Sequence, residues 1–208
     1  MTALPDAGPQ VLPALDDQAR EILFTAARTA NSFRPDPVSD ETLASIWELA
    51  KWPPTMANTQ PLRVHYVRNA EGKARLLPLM AEGNRAKTET APAVALLATD
   101  VDFHEFTDHT FPIRPELKDQ FAAAGAEGRE GLARFNGALQ VGYFLLAARA
   151  HGLATGPMGG FDVDGVTAEF FPGGRHRTLL VVNLGLPGAD PWFDRLPRLP
   201  HDDVVTWS

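Results

Sequence analysis

The stretch "LARFNGALQVGYFLLAARAHG", residues 132–152, sets the tightest limit on what this chain can fold into. It is long enough for about six turns of helix, is apolar on nearly every side, and closes at His151-Gly152 with glycine in the preferred place after a last turn. A helix apolar all round either spans a membrane or sits at the centre of a core. Asn136, Gln140, Arg149 and His151 interrupt it, which selects the core, or burial against a partner subunit.

The remaining segments supply layers to pack on such a helix. "LRVHYVR" alternates Leu62, Val64 and Tyr66 with Arg63 and His65, the period of a half-buried strand. "AVALLATD" is almost wholly apolar, as expected of a strand covered on both faces. "LATGPMGGFD" reads as a short strand running into a glycine-rich turn, and "TLLVVNLG" as another buried strand.

From Asp16 the spacing predicts a helix with Ile22, Leu23, Ala26 and Ala27 on its buried face. A second follows Ser39 as its cap, with Leu43, Ile46, Trp47 and Ala50 as the apolar stripe, and Pro53-Pro54 stop it. "AEGKARLLPLMAEGNRAKTETAP" predicts one or two helices with a break near Glu82-Gly83-Asn84, and "VDGVTAEFF" predicts one more. Residues 101–130 read as irregular, with short helices, and as a candidate lid. With no internal repeat and no linker, residues 1–15 read as a flexible lead-in and residues 16–208 as one domain. The expected class is α+β: a small mixed sheet surrounded by helices, with the long helix buried centrally.

Composition narrows the function. A formal charge of −7 over 208 residues argues against a general nucleic-acid binder. No run approaches the ~18 apolar residues of a membrane span, and the proline-rich start lacks the basic n-region of a signal peptide. The absence of cysteine removes disulfides, thiolate metal sites and cysteine nucleophiles, and fits the cytoplasm. The six histidines show no metal-ligand spacing, so no metal is expected. G-x-S-x-G, H-E-x-x-H and the Walker loop are absent, and "GPMGG" lacks the spacing of a dinucleotide fingerprint.

Polar groups gather instead at the ends of elements. "TMANTQ", between Pro54 and a strand, places Thr55, Asn58, Thr59 and Gln60 where a plain connection needs none of them. Arg28 and Thr29 close the first helix, Asn84 and Lys87 lie near a helix start, and Arg195 and Arg198 sit in a proline-rich tail. Each has a plainer reading alone: Arg28 as a helix cap, Lys87 as a solvated charge, the tail arginines as rim charges. Together, three guanidinium groups suit a phosphate, the amides suit a ring edge, and the glycines of "PMGG" permit close approach of backbone. That combination suggests a phosphorylated aromatic cofactor.

The order of five segments carries a resemblance. "FTAARTANSFRPDPVSDETL", "KWPPTMANTQPLRV", "EGNRAKTETAP", "GPMGGFD" and "RLPRL" resemble, in that order, the FMN-dependent nitroreductase family, and within it the malonic semialdehyde reductase branch of pyrimidine utilisation. The resemblance implies an α+β homodimer with FMN held at the subunit interface by both chains. It implies Arg28 and Thr29 at the phosphate and ribityl chain, with Arg195 and Arg198 as the basic pair on the phosphate. Thr55, Met56, Asn58 and Gln60 would reach the flavin from the second subunit. Asn84 and Lys87 would meet the N1/O2 edge, and Pro157, Met158, Gly159 and Gly160 the N5 side.

Three positions depart from the family's habit. Ala27 stands where a basic residue is common, Asn31 where a second Arg or Lys is common, and Gly159 where Glu is frequent. Asn31 is retained among the expected cofactor contacts. The implied chemistry is ping-pong: NAD(P)H gives hydride to flavin N5, and a second substrate takes it from the same face. In the branch named, that substrate is malonic semialdehyde, reduced to 3-hydroxypropanoate, and Arg114 in "FPIRPEL" is the expected partner of its carboxylate. The other readings are a broad nitroarene or quinone reductase, and a flavin-binding protein without turnover.

Overall fold

A computed structural model describes residues 12–208; most of the expected lead-in, residues 1–11, lies outside the described residues. The helices are α1 (Asp17–Arg20), α2 (Asp40–Ala50), α3 (Ala70–Leu76), α4 (Glu82–Thr90), α5 (Thr107–Thr110), α6 (Glu116–Ala123), α7 (Gly125–Ala150) and α8 (Val163–Phe170). The strands are β1 (Leu62–Val67), β2 (Ala93–Asp100), β3 (Ala154–Met158) and β4 (His176–Gly185). They form one sheet in the order β1-β2-β4-β3, antiparallel at every pairing. The expected mixed sheet therefore has parallel character only in an isolated bridge from Thr29 to Thr155.

β2 shows how the sequence sets the layers. All eight of its residues are buried, and the pleat sends alternate ones to opposite faces. Val94, Leu96 and Ala98 join Leu76, Met80, Val166 and Phe170 in one core, under α3 and α8. Ala93, Ala95 and Leu97 join Leu43, Ile46, Phe144 and Ala147 in the other, under α2 and α7. Ser39 caps α2, its Oγ accepting from the Thr42 N–H at 3.1 Å.

Three element boundaries differ from expectation, each for a local reason. The first helix is four α residues followed by a π-helical turn over Glu21–Thr25, so Arg28 and Thr29 lie beyond its end and Arg28 is no cap. Its apolar face is not buried within this chain: Ile22 is 45% exposed, Ala26 is exposed and Leu23 is half-buried. The break in the next helical stretch falls at Met80-Ala81, and Glu82 opens α4. α7 begins at Gly125, so the last residues of the 101–130 stretch, read as irregular, are the start of the long helix. Arg129 explains this: buried, it donates to the carbonyls of Val101 and Phe121 and pairs with Asp102, tying that first turn to the sheet.

α7 itself is central but two-faced. Ala133, Asn136, Gly137, Gln140, Phe144, Ala147 and Ala148 are buried, whereas Phe135, Leu139 and Tyr143, four apart on one stripe, are 66%, 42% and 43% exposed. No described helix is long and apolar enough to cross a membrane.

Candidate functional site

The site begins with a close approach of two backbones. Residues 28–31 run beside β3, with the Ala30 N–H donating to the Thr155 carbonyl at 2.8 Å. Gly156 makes this possible, because a Cβ there would lie 2.7 Å from the Ala30 oxygen. The same strand delivers Pro157–Gly160 to the start of α4. The Gly160 carbonyl accepts from the Ala81 N–H at 3.0 Å and from Asn84 Nδ2 at 2.9 Å, and a side chain at 160 would displace that amide. One turn along α4, Lys87 Nζ reaches Asn31 Oδ1 at 3.4 Å. Strand, helix start and the 28–31 segment are thereby joined, so Arg28, Thr29, Asn31, Asn84, Lys87 and Pro157–Gly160 converge.

The tail closes this cluster from one side. The Asn31 N–H donates to the Pro191 carbonyl at 2.9 Å, Arg28 to the Phe193 carbonyl at 3.3 Å, and Arg195 to the Ala27 carbonyl at 3.4 Å. Two clefts open here, of ≈ 310 and ≈ 340 Å³, and Arg28, Thr29 and Arg198 line both. Arg195, Asn31 and Asp194 line one; Arg149, Thr155 and Pro157 line the other.

Sequence reasoning assigned no role here to Arg149. It stands in the last turn of α7, where its Nη2 donates to the Ile22 carbonyl and its Nε is buried without a partner. Burial, and after it the charge of Arg195, lowers its pKa from the ordinary guanidinium value. The only legible signal was a cation interrupting an apolar helix, and the partners that give it meaning are far away in sequence.

None of Arg28, Arg149, Arg195 and Arg198 forms an ion pair with a carboxylate among the described residues; all four donate to backbone carbonyls. Four guanidinium groups around two adjoining clefts, whose one lining carboxylate, Asp194, pairs with none of them, fit the phosphate of a cofactor. No described group of His, Asp and Glu is arranged to hold a metal ion.

The segment 55–60 is not part of this cluster within the chain. Its backbone is strained, with φ of 47° at Ala57, 51° at Asn58 and 43° at Gln60. Two amides on one face of α7 hold it: Asn136 Oδ1 accepts from the Met56 N–H at 2.7 Å, and Gln140 Oε1 from the Leu62 N–H at 2.9 Å. Thr55 Oγ1 accepts from the Gln60 N–H at 3.2 Å, and Asn58 donates to the Thr110 carbonyl at 2.7 Å. Thus Asn136 and Gln140, read in the sequence as interruptions, fix the loop; their spacing of four was the signal. Met56 remains 55% exposed.

Arg114 also lies apart. Its side chain is half-exposed and pairs with Glu116, and no described hydrogen bond links it to the arginine clefts. It belongs instead with the 55–60 loop, which Asn58 ties to the Thr110 carbonyl while the Arg114 N–H donates to the Phe111 carbonyl.

The nitroreductase family profile matches residues 25–186. The chain belongs to the nitroreductase family. A Streptomyces coelicolor protein, provisionally named NADH dehydrogenase/NAD(P)H nitroreductase, is 55% identical over 197 residues, covering 95% of this chain and 97% of its own. A Leptothrix cholodnii protein of the same provisional name is 50% identical over 189 residues, covering 91% and 95%. Among solved structures, an Exiguobacterium sibiricum protein, provisionally termed a nitroreductase and crystallised in complex with FMN, superposes with a TM-score of 0.81 at 23% identity, over 96% of this chain and all (100%) of that one. This nitroreductase-family chain thus shares its whole described architecture with that solved fold, sheet and long helix included.

Proposed function

We propose that this nitroreductase-family chain binds FMN and works as an NAD(P)H-dependent flavin oxidoreductase. The observation that carries the proposal is the set of arginines without carboxylate partners, joined through Asn31 to Lys87 and through β3 to the Asn84–Gly160 contact. The family match and the FMN-bound neighbour support it.

In this reading Arg28 and Arg198, common to both clefts, answer the phosphate charge, and the Thr29 hydroxyl is available to the sugar-alcohol chain. Bound FMN supplies reversible two-electron hydride exchange at its ring system. Lys87 places a positive charge at the ring edge where negative charge develops, stabilising it without reorganisation. Asn84, held by the Gly160 carbonyl, presents its remaining amide group to the same edge. Pro157–Gly160 contribute backbone rather than side-chain bulk, which leaves the reacting face open. The reductant is NADH or NADPH, and no segment of the chain carries a nicotinamide fingerprint that selects between them.

We place FMN between two copies of the chain. Thr55, Met56, Asn58 and Gln60 line neither arginine cleft of their own chain and sit on a strained loop fixed by Asn136. The exposed stripe Phe135–Leu139–Tyr143 on α7, with Ile22 and Phe24, gives a second copy an apolar surface to cover. A homodimer brings the loop of one protomer to the clefts of its partner.

For the acceptor, the five ordered motifs favour malonic semialdehyde. A nitroarene or quinone is the second reading, favoured by the relatives' names and by the pairing of Arg114 with Glu116. The test is anaerobic: load the protein with FMN, reduce it with NADPH, remove the nicotinamide, and add each acceptor in turn. Return of the oxidised flavin spectrum with 3-hydroxypropanoate formed supports the aldehyde. Return only with a nitroarene or quinone overturns it in favour of the second reading. A protein that stays colourless in FMN overturns the flavin proposal itself.

A further inference from the structure

The two clefts beside Arg28 and Arg198 differ in charge. One holds Asp194, a carboxylate that opposes any anion, together with Arg195. The other has no carboxylate among its described lining residues; its polar groups come from Arg28, Thr29, Arg149, Thr155 and Arg198, and the rest of its wall is aliphatic or glycine. An anion choosing between adjacent clefts with two arginines in common takes the one with a third guanidinium and no opposing charge.

The side chain of Arg149 is also the better prepared of the two candidates for third place. Its Nη2 is held by the Ile22 carbonyl, its Nε is buried without a partner, and no described group takes its Nη1, so a ligand has donors to satisfy there. Arg195 belongs to a tail of exposed residues and has one long hydrogen bond, 3.4 Å, to hold it. A guanidinium already fixed in place loses less freedom when it binds a phosphate.

We infer that the phosphate of the cofactor occupies the carboxylate-free cleft, with Arg149 as its third guanidinium beside Arg28 and Arg198, and that Arg195 lies outside the phosphate subsite. This rests on the FMN reading above and assigns a phosphate contact to a residue in the long helix. It also offers a source for the positive charge that Ala27 and Asn31 do not supply. Because Arg149 holds Ile22, filling the cleft couples to docking of the first helical segment.

The experiment compares FMN with riboflavin, which is the same ring and chain without the phosphate. Binding of each to flavin-stripped protein is read by fluorescence quenching, for wild type, Arg149→Met and Arg195→Met. The ratio of the two affinities isolates the phosphate, since a general loss of structure weakens both ligands alike. Arg149→Met is expected to cut the FMN preference about tenfold or more, and Arg195→Met to change it by less than about threefold. If Arg149→Met does not fold, Arg149→Lys serves: it keeps the charge, loses the fork, and should lose part of the preference. An unchanged preference in the Arg149 variants, or a larger loss in Arg195→Met, overturns the inference while leaving the FMN reading intact. A wild type that binds neither flavin overturns both.

Discussion

At the end of β2, Arg63 and Arg175 converge on Asp100, which is 1% exposed, while Arg129 takes Asp102 and Arg175 also reaches Glu105. At the edge of β3, Arg28, Arg149, Arg195 and Arg198 gather with only backbone carbonyls for partners. Both are arginine clusters at a sheet margin, and what separates them is the source of the countercharge. In the first the chain supplies it, and Phe106 lies under both Arg63 and Arg175 at 5.2 and 5.5 Å. That cluster anchors residues 101–129 to the sheet. In the second the chain brings up a single carboxylate, Asp194, and pairs it with none of the four, which leaves room for a phosphate from outside. A buried charge cluster is therefore a poor guide to function until its partners are counted.

The largest effect comes from opening the closed cluster. Asp100→Asn leaves Arg63 and Arg175, whose side chains are 30% and 29% exposed, without their shared countercharge. Breaking a buried pair typically costs 3–5 kcal/mol, and the partial exposure of the arginines places this one near the low end, about 3 kcal/mol. Urea denaturation of the variant measures it. A loss below roughly 1 kcal/mol would mean that solvent already satisfies these arginines, and the contrast between the clusters would fail.

The second prediction touches the open side. Lys87→Met should leave stability within about 1 kcal/mol of wild type while slowing NADPH-driven turnover by on the order of 10²-fold. Stopped-flow reduction of the FMN-loaded protein separates the two. A variant that loses stability and keeps its reduction rate would make Lys87 a structural residue, satisfied by Asn31 alone.

Acid should act on the closed cluster in two stages. Burial lowers the pKa of His104 and His176, so each gains a proton on unfolding; its contribution is complete above the ordinary value of ~6.5 and fades as pH falls. Burial raises the Asp100 carboxyl, but the Arg175 hydrogen bond and the Arg63 charge outweigh it, and its net pKa is lowered. Its contribution is present above the unfolded value of ~3.9 and is lost as pH falls through the lower folded value. Urea midpoints should therefore decline gently below about pH 6.5 and again below about pH 4. Asp100→Asn should remove the second stage only, and a second stage that survives this substitution would assign it to other carboxylates.

How much of this was legible in the sequence follows the same division. β2 could be read directly, because six apolar residues in a row, 93–98, admit few other fates, and Ser39 marked the start of α2. The start of α7 could not, because "GAEGREG" has loop composition and is helical only through the hold of Arg129 on Val101, Phe121 and Asp102. Ile22 and Ala26 read as the buried face of the first helix and are exposed, since periodicity shows that a face is apolar and not which chain covers it. Arg28, Asn84, Lys87 and Arg198 stood out as polar groups at element ends, and motif order, which carries a family's arrangement along, gave them roles. Arg149 has no motif, and its meaning is entirely spatial.

The smallest effect concerns the loop that the chain holds under strain. Ala57 has a φ of 47° and a ψ of 31°, inside the left-handed region, where an L-residue costs about 1–2 kcal/mol relative to glycine. Glycine returns roughly 0.5–1 kcal/mol of that through its greater freedom when unfolded. Ala57→Gly should thus raise stability slightly, by up to about 1 kcal/mol, with the loop still tied to Asn136 through the Met56 N–H. The urea midpoint at two protein concentrations sharpens the comparison. A small gain at both means that the strain is local and the Ala57 methyl touches nothing of consequence. A loss that appears only at the higher concentration means that the methyl packs in a contact between copies, and this loop, like the open arginines, is completed from outside its own chain.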